Sequence, residues 1–285
     1  MIIGNKREEV IDNICRATQA GTLNCKVETD DPQLDSTQTR AIIDGYLQKR
    51  ATLSFHMKSF AARRIANAVS AAVNRDTEIR GTEHLRTIRG GAIITSNHFS
   101  PFDNTVIRHM VRQQGKKRVN IVSNVSNLAM PGAIGFLMNY ADVIPICSDR
   151  HYLSRDFYRI LHDLIAQEEY VLIYPEQEMW FNYRKPRPLM RGAYYYAAKL
   201  GVPVISCFVE QQNTEQEDND AFWRVKYILH ILPTLYPDPQ KTPRENSILM
   251  CEQDYQQKKQ AYEEAYCKPL DYTFSPNDIA GWKKV

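Results

Sequence analysis

Within the stretch TSNHFSPFDN, residues 95–104, a histidine and an aspartate stand five positions apart, His98 and Asp103. A carboxylate on one imidazole nitrogen fixes the tautomer and stabilises the cation formed on proton uptake, so such a couple makes a general base at neutral pH. On a continuous helix five steps of about 100° separate the two side chains by roughly 140°. They can meet only if the chain changes direction between them. The apolar run before them reads as a strand over 92–95, which puts His98 just past its carboxyl end. Ser100 is a suitable N-cap and Pro101 suits a first helical position, so a helix is expected from Pro101, with Asp103 as its third residue. Two readings of Asp103 stand side by side: partner of His98, or capping-box acid bonding back to the Ser100 N–H. A metal role finds no third His, Cys or carboxylate at ligand spacing nearby.

The elements that must position this pair follow from apolar periodicity. Strands are expected over 92–95, 119–123, 143–147, 171–174, 202–209 and 223–232, and helices over 101–113, 154–168 and 190–200. This alternation predicts an α/β fold with a mixed, largely parallel sheet flanked by helices, whose sites lie where strands end and helices begin. The chain divides into a polar N-terminal segment (1–35, with a short helix in KREEVIDNICRATQAG and a turn at Asp30, Asp31 and Pro32), an amphipathic basic helical segment (36–75), an α/β domain (76–240) and a C-terminal helical appendage (241–285, helix over 253–266).

In the second of these segments Met57, Phe60, Ala61, Ile65, Ala68, Val69 and Ala72 form one apolar stripe. Lys49, Arg50, Lys58, Arg63, Arg64 and Arg75 accompany it, with no acid between Gln48 and Arg75. Such a helix either packs its stripe on the core or lies on anionic lipid through residues 49–75.

Bulk properties narrow the classes. Thirty-six basic and 33 acidic residues give a net charge of +3, too small to argue for nucleic acid as a partner. The six cysteines are scattered with no CxxC pair, as in a reduced cytoplasmic chain. No apolar run reaches the roughly 18 residues of a membrane span, and the N-terminus lacks the long apolar segment of a signal peptide. A Gly-rich phosphate loop and a GxSxG elbow are both missing, which weakens nucleotide-binding and serine-hydrolase readings.

NHFSPFD resembles the NHxxxxD block of the glycerolipid acyltransferases, a family that includes lysophosphatidate and glycerol-3-phosphate acyltransferases. Three more stretches resemble its further blocks in order: GFLMNYADVIPICSDR (135–150), IYPEQEMW (173–180) and GVPVISCFV (201–209). The resemblance implies acyl transfer from acyl-CoA or an acyl-carrier protein, with no cofactor besides that co-substrate. His98 would deprotonate the acceptor hydroxyl and Asp103 would orient it. The acceptor it implies is a lyso-phospholipid, foremost 1-acyl-sn-glycerol 3-phosphate giving phosphatidate. Glycerol 3-phosphate, another polar lyso-lipid, or an idle lipid-binding module are the alternatives. The lack of a span and the basic stripe of residues 49–75 together set the expected location as cytoplasmic, peripheral on the inner face of the cell membrane. Oxyanion donors or structural support are expected near Asn97, Ser100 and Gly192.

The third block departs from the family. Tyr174, Pro175 and Glu176 match, but Gln177, Glu178 and Met179 stand where glycine, threonine and arginine are expected. With that arginine missing, acceptor phosphate contacts are expected from Glu176 and from Arg150, Arg184, Lys185, Arg187 and Arg191. The alternative for the 184–191 cluster is a solvated basic loop.

Overall fold

The computed structural model describes residues 6–29, 32–115 and 118–284. In chain order the elements are α1 (Arg7–Gln19), α2 (Ser36–Lys49), α3 (Leu53–Val73), β1 (Glu78–Arg80), β2 (Ala92–Thr95), α4 (Asn104–Gln113), β3 (Val119–Asn124), α5 (Gly132–Tyr140), β4 (Val143–Ile146), α6 (Arg150–Tyr152), α7 (Tyr158–Ala166), β5 (Tyr170–Ile173), α8 (Gly192–Leu200), β6 (Val204–Asn219), β7 (Phe222–Ile231) and α9 (Pro243–Tyr266). The first five residues and the aspartates at 30 and 31, read above as terminus and turn, lie outside the described residues.

One seven-stranded sheet has the order β1-β7-β6-β2-β5-β3-β4. Every pairing is parallel except β6 with β7, which is the mixed, largely parallel sheet expected. Alternation along the central strands splits the core into two layers. Ile93, Val171, Ile173 and Val204 face one way with Phe157, Leu161, Tyr194 and Met250. Ala92, Ile94, Leu172 and Ile205 face the other with Val106, Ile107 and Met110 of α4. Both faces of the central strands are therefore covered, as a buried parallel sheet requires.

Several expected boundaries move. The first regular turn of α4 begins at Asn104, because residues 100–103 form a separate turn closed by the Asp103 N–H on the Ser100 carbonyl. The helix expected from 154 starts at Arg150, where Asp149 caps it, and passes through a π turn over Leu153–Phe157. β6 runs ten residues past the expected end at 209, as an exposed ribbon paired with β7. Strand β1 and helix α5 were not expected.

Two terminal segments are more deeply integrated than a polar lead and an appendage. α1 buries Val10, Ile11 and Ile14 against Trp180, Phe181 and Tyr183. α9 begins at Pro243 behind a Thr242–Glu245 capping box. Its Asp254 and Lys258, both fully buried and paired, bond to Thr95 of β2 and Ser206 of β6. A buried pair of this kind is tolerable only with its remaining donors and acceptors satisfied, which these hydroxyls and Tyr194 do.

The face of α3 is inverted relative to a core-packed helix. Its buried residues are Ser59, Ala62 and Ser70, whereas Met57, Phe60, Ala61, Ile65 and Ala68 of the apolar stripe are exposed, Phe60 at 60%. The polar side is held by specific bonds. Arg63 clamps the Asp142 carboxylate in a bidentate contact at 2.8 Å, and Ser70 and Asn74 bond to Thr105. No described helix is long and apolar enough to cross a membrane.

Candidate active site

β2 and β5 are parallel neighbours with Thr95 opposite Ile173, so the residues after each strand emerge side by side at the carboxyl edge of the sheet. His98 Nδ1 lies 2.7 Å from Asp103 Oδ2. The same oxygen accepts the N–H groups of Phe99 (2.9 Å) and Ser100 (3.1 Å). Both sequence readings of Asp103 therefore hold in one carboxylate: it bonds back to the turn and meets the imidazole. The turn at 100–103, rather than a helix from Pro101, brings the two together.

Tyr174 completes this arrangement, and the sequence reading gave it no role. Its hydroxyl donates to Asp103 Oδ1 at 2.6 Å, and its ring stacks on His98 with centroids 4.0 Å apart and planes 14° apart. Burial, and then the Asp103 charge, push the Tyr174 hydroxyl well above its ordinary pKa, so it remains a donor. All four partners of Asp103 can donate, which suits an acceptor-only carboxylate. With the proton on Nδ1, the Nε2 lone pair is left as the base. The Asp103 side chain is 2% exposed and that of His98 20%, so the acid is shielded while the imidazole is open to solvent.

Glu176 is buried behind His98. It accepts the His98 N–H at 3.1 Å, the Arg187 N–H at 3.0 Å and the Arg187 guanidinium at 2.9 Å. These contacts turn it away from an acceptor molecule. Arg187 is 1% exposed, lies over the Trp180 ring and also bonds to the Glu178 and Leu23 carbonyls. Burial disfavours its cation and Glu176 opposes that effect. Glu176 thus takes its cationic partner from eleven residues downstream, inside the protein.

The rest of the basic cluster divides. Lys185, 3% exposed, pairs with Asp278 at 2.7 Å and donates to the Thr273 carbonyl. Arg184 bonds to Asn213 and the Asn277 carbonyl and lies over Tyr266. Together with Arg187, these two anchor the termini to the 176–188 loop, so all three expected phosphate ligands are engaged by protein partners. Arg150 and Arg191 remain exposed, the first after β4 and the second beside Met190, whose N–H bonds to the Pro175 carbonyl. Asn97 brackets Val209 of β6 through that residue's N–H and carbonyl, so it supports the strand end. The N–H groups of His98, Phe99 and Ser100 are bonded to carboxylates, and the Phe102 N–H to Ser100 Oγ, which removes them as oxyanion donors. Gly192 opens α8 and has open space where a Cβ would project. Gln177, where the family block has glycine, takes a positive φ of 67°, a conformation that glycine adopts more readily. Among the described residues no group of three His, Cys, Asp or Glu side chains is placed to hold a metal ion.

A shielded acid, an open imidazole and a loop clamped behind them form a base site at the edge of an α/β sheet. Residues 76–210 match the family model described as Acyltransferase. In fold the chain is similar to the 1-acyl-sn-glycerophosphate (LPA) acyltransferase PlsC from Thermotoga maritima, with a TM-score of 0.50 and 14% identity over 93% of this chain and 99% of that one. No curated protein matches it in sequence.

Proposed function

We propose that this protein is an O-acyltransferase that works at a membrane surface and moves a fatty acyl group from a thioester to the free hydroxyl of a lyso-glycerolipid. The observation that carries this reading is the His98–Asp103 contact of 2.7 Å with the second imidazole nitrogen free to act. In the reaction His98 Nε2 takes the proton of the acceptor hydroxyl, and the oxygen attacks the thioester carbonyl. The tetrahedral intermediate collapses as the C–S bond breaks, and the departing thiolate takes the proton from the imidazolium. Asp103 stabilises the imidazolium throughout, with Tyr174 and the turn N–H groups holding the carboxylate in place.

The acceptor favoured by the resemblance is 1-acyl-sn-glycerol 3-phosphate. Its phosphate would be met by Arg150 and Arg191, the two exposed cations of the expected set. The inward turn of Arg184, Lys185 and Arg187 favours a second reading, an acceptor with a different polar head. Membrane association through residues 49–75 is supported by the outward apolar stripe of α3, flanked by exposed Lys49, Lys58, Arg64 and Arg75. Such a surface fits the anionic inner face of a cell membrane.

The test supplies acyl-CoA and acyl-carrier protein with a panel of lyso-lipids and glycerol 3-phosphate, and identifies products by mass spectrometry. Transfer to a lyso-lipid, reduced by about 10²–10⁴-fold in His98→Ala, is expected. Undiminished transfer by His98→Ala, or no thioester consumption by the wild type, would overturn the reading.

A further inference from the structure

The loop from Glu176 to Pro188 grips the backbone of His98 from both sides. Glu176 accepts its N–H, while its carbonyl accepts the Trp180 N–H at 3.1 Å and lies 3.5 Å from the Arg187 guanidinium. Apart from an isolated bridge at Tyr183, this loop has no ladder of its own, so something outside it must fix its shape. Arg184 and Lys185 tie its later half to residues 273–278, and three consecutive residues far upstream tie its two ends and its middle. The Arg187 guanidinium donates to the Leu23 carbonyl at 3.2 Å and the Trp180 indole N–H donates to the Cys25 carbonyl at 2.9 Å. Between them, the Asn24 side-chain amide donates to the Glu176 carbonyl at 3.1 Å and to the Pro188 carbonyl at 2.8 Å. One planar NH₂ group thus ties together the two ends of the loop.

The chemistry of those partners specifies the residue. Two carbonyls require two donors from a short side chain, which asparagine supplies and an ionised aspartate cannot. The segment is itself fixed by α1, whose apolar face packs against Trp180, Phe181 and Tyr183. All three residues lie outside the stretch that matches the acyltransferase family.

We propose that Asn24 is a positioning residue for acyl transfer: it locks the 176–188 loop, and through Glu176 and Arg187 it sets where His98 stands. This rests on the base role of His98 proposed above. Loosening the loop shifts the imidazole relative to both substrates, while the residues that would bind them are untouched, so the effect falls on kcat rather than KM.

The experiment compares Asn24→Asp, Asn24→Ala and Asn24→Gln in the full-length protein. A drop in kcat of roughly ten- to a hundredfold is expected for Asn24→Asp, with KM for donor and acceptor within about threefold of wild type. Asn24→Ala falls between, and Asn24→Gln, which keeps both donors, recovers part of the rate. Leu161→Ala, in the core layer formed by α7 and apart from the α1 cluster, lowers the melting temperature and leaves kcat unchanged. A readout that needs no turnover is the Nδ1 proton signal of His98 in NMR, assigned by its loss in His98→Ala. It is expected to broaden or shift in Asn24→Asp. If Asn24→Asp does not fold, Trp180→Phe, which deletes the bond to Cys25 and trims the ring under Arg187, is measured instead, with a kcat loss and a shifted His98 signal expected. Unchanged kcat together with an unchanged His98 signal in a folded variant overturns the proposal. A wild type that transfers no acyl group sinks the base role instead, and the NMR signal still decides whether Asn24 positions His98.

Discussion

The Tyr174 ring lies flat on the His98 imidazole while its hydroxyl holds the far oxygen of Asp103, so one side chain supports both members of the couple. Tyr174→Phe keeps the stacked ring and removes only the 2.6 Å bond. The lost hydrogen bond to a charged group is expected to cost about 1.5–3 kcal/mol of stability and to lower kcat roughly tenfold, read by thermal melts and steady-state rates. The Tyr174 pKa is raised by burial, so the bond is present below its ordinary 10.0 and is lost only as pH rises through the higher folded value. The ratio of variant to wild-type rates is therefore expected to stay constant up to pH 10.0. A ratio that changes with pH in that range would show that the tyrosine titrates.

The pairing of Arg187 with Glu176 makes a prediction opposite in kind to that of a substrate-binding arginine. Arg187→Met leaves a buried carboxylate unpaired and is expected to cost about 3–5 kcal/mol in urea unfolding. The double variant Glu176→Gln/Arg187→Met loses less, because no unpaired charge remains. An arginine that gripped acceptor phosphate would raise KM with little change in stability. That pattern in Arg187→Met would contradict the buried-pair account.

The sequence was legible where local chemistry dominates. Strands β2, β3, β4 and β5 fall within one residue of their expected bounds because short runs rich in β-branched and apolar residues have few alternatives. The meeting of His98 and Asp103 was readable from a strand end and a turn, although the Ser100–Asp103 turn, not a helix, does the bending. Strand β1 was hidden because its three residues are largely exposed and carry no apolar pattern. The start of α9 was signalled by Thr242-Pro243 and Glu245, a capping box overlooked in favour of the polar stretch behind it. The protein partners of the basic cluster were hidden for a different reason. The partners of Arg184, Lys185 and Arg187 include Asn277, Asp278 and Leu23, each more than 90 residues away, and no local pattern reveals such pairings.

The outward stripe of α3 separates folding from membrane binding. Met57 and Phe60 are exposed, so Met57→Ser/Phe60→Ser is expected to change folding stability by no more than about 0.5 kcal/mol per site. Burying such side chains in lipid is worth up to about 1.5–3 kcal/mol each, so partition onto anionic vesicles is expected to fall at least tenfold. Cosedimentation with vesicles of anionic and of neutral lipid measures this, and raising salt should weaken wild-type binding to the anionic set alone. The Arg63 clamp on Asp142 fixes the stripe relative to the catalytic domain, so activity toward vesicle-borne acceptor should fall in parallel with binding. Activity toward acceptor dispersed in detergent should be preserved. Equal vesicle binding by wild type and double variant would remove α3 as the docking surface, and the exposed stripe would then need another explanation.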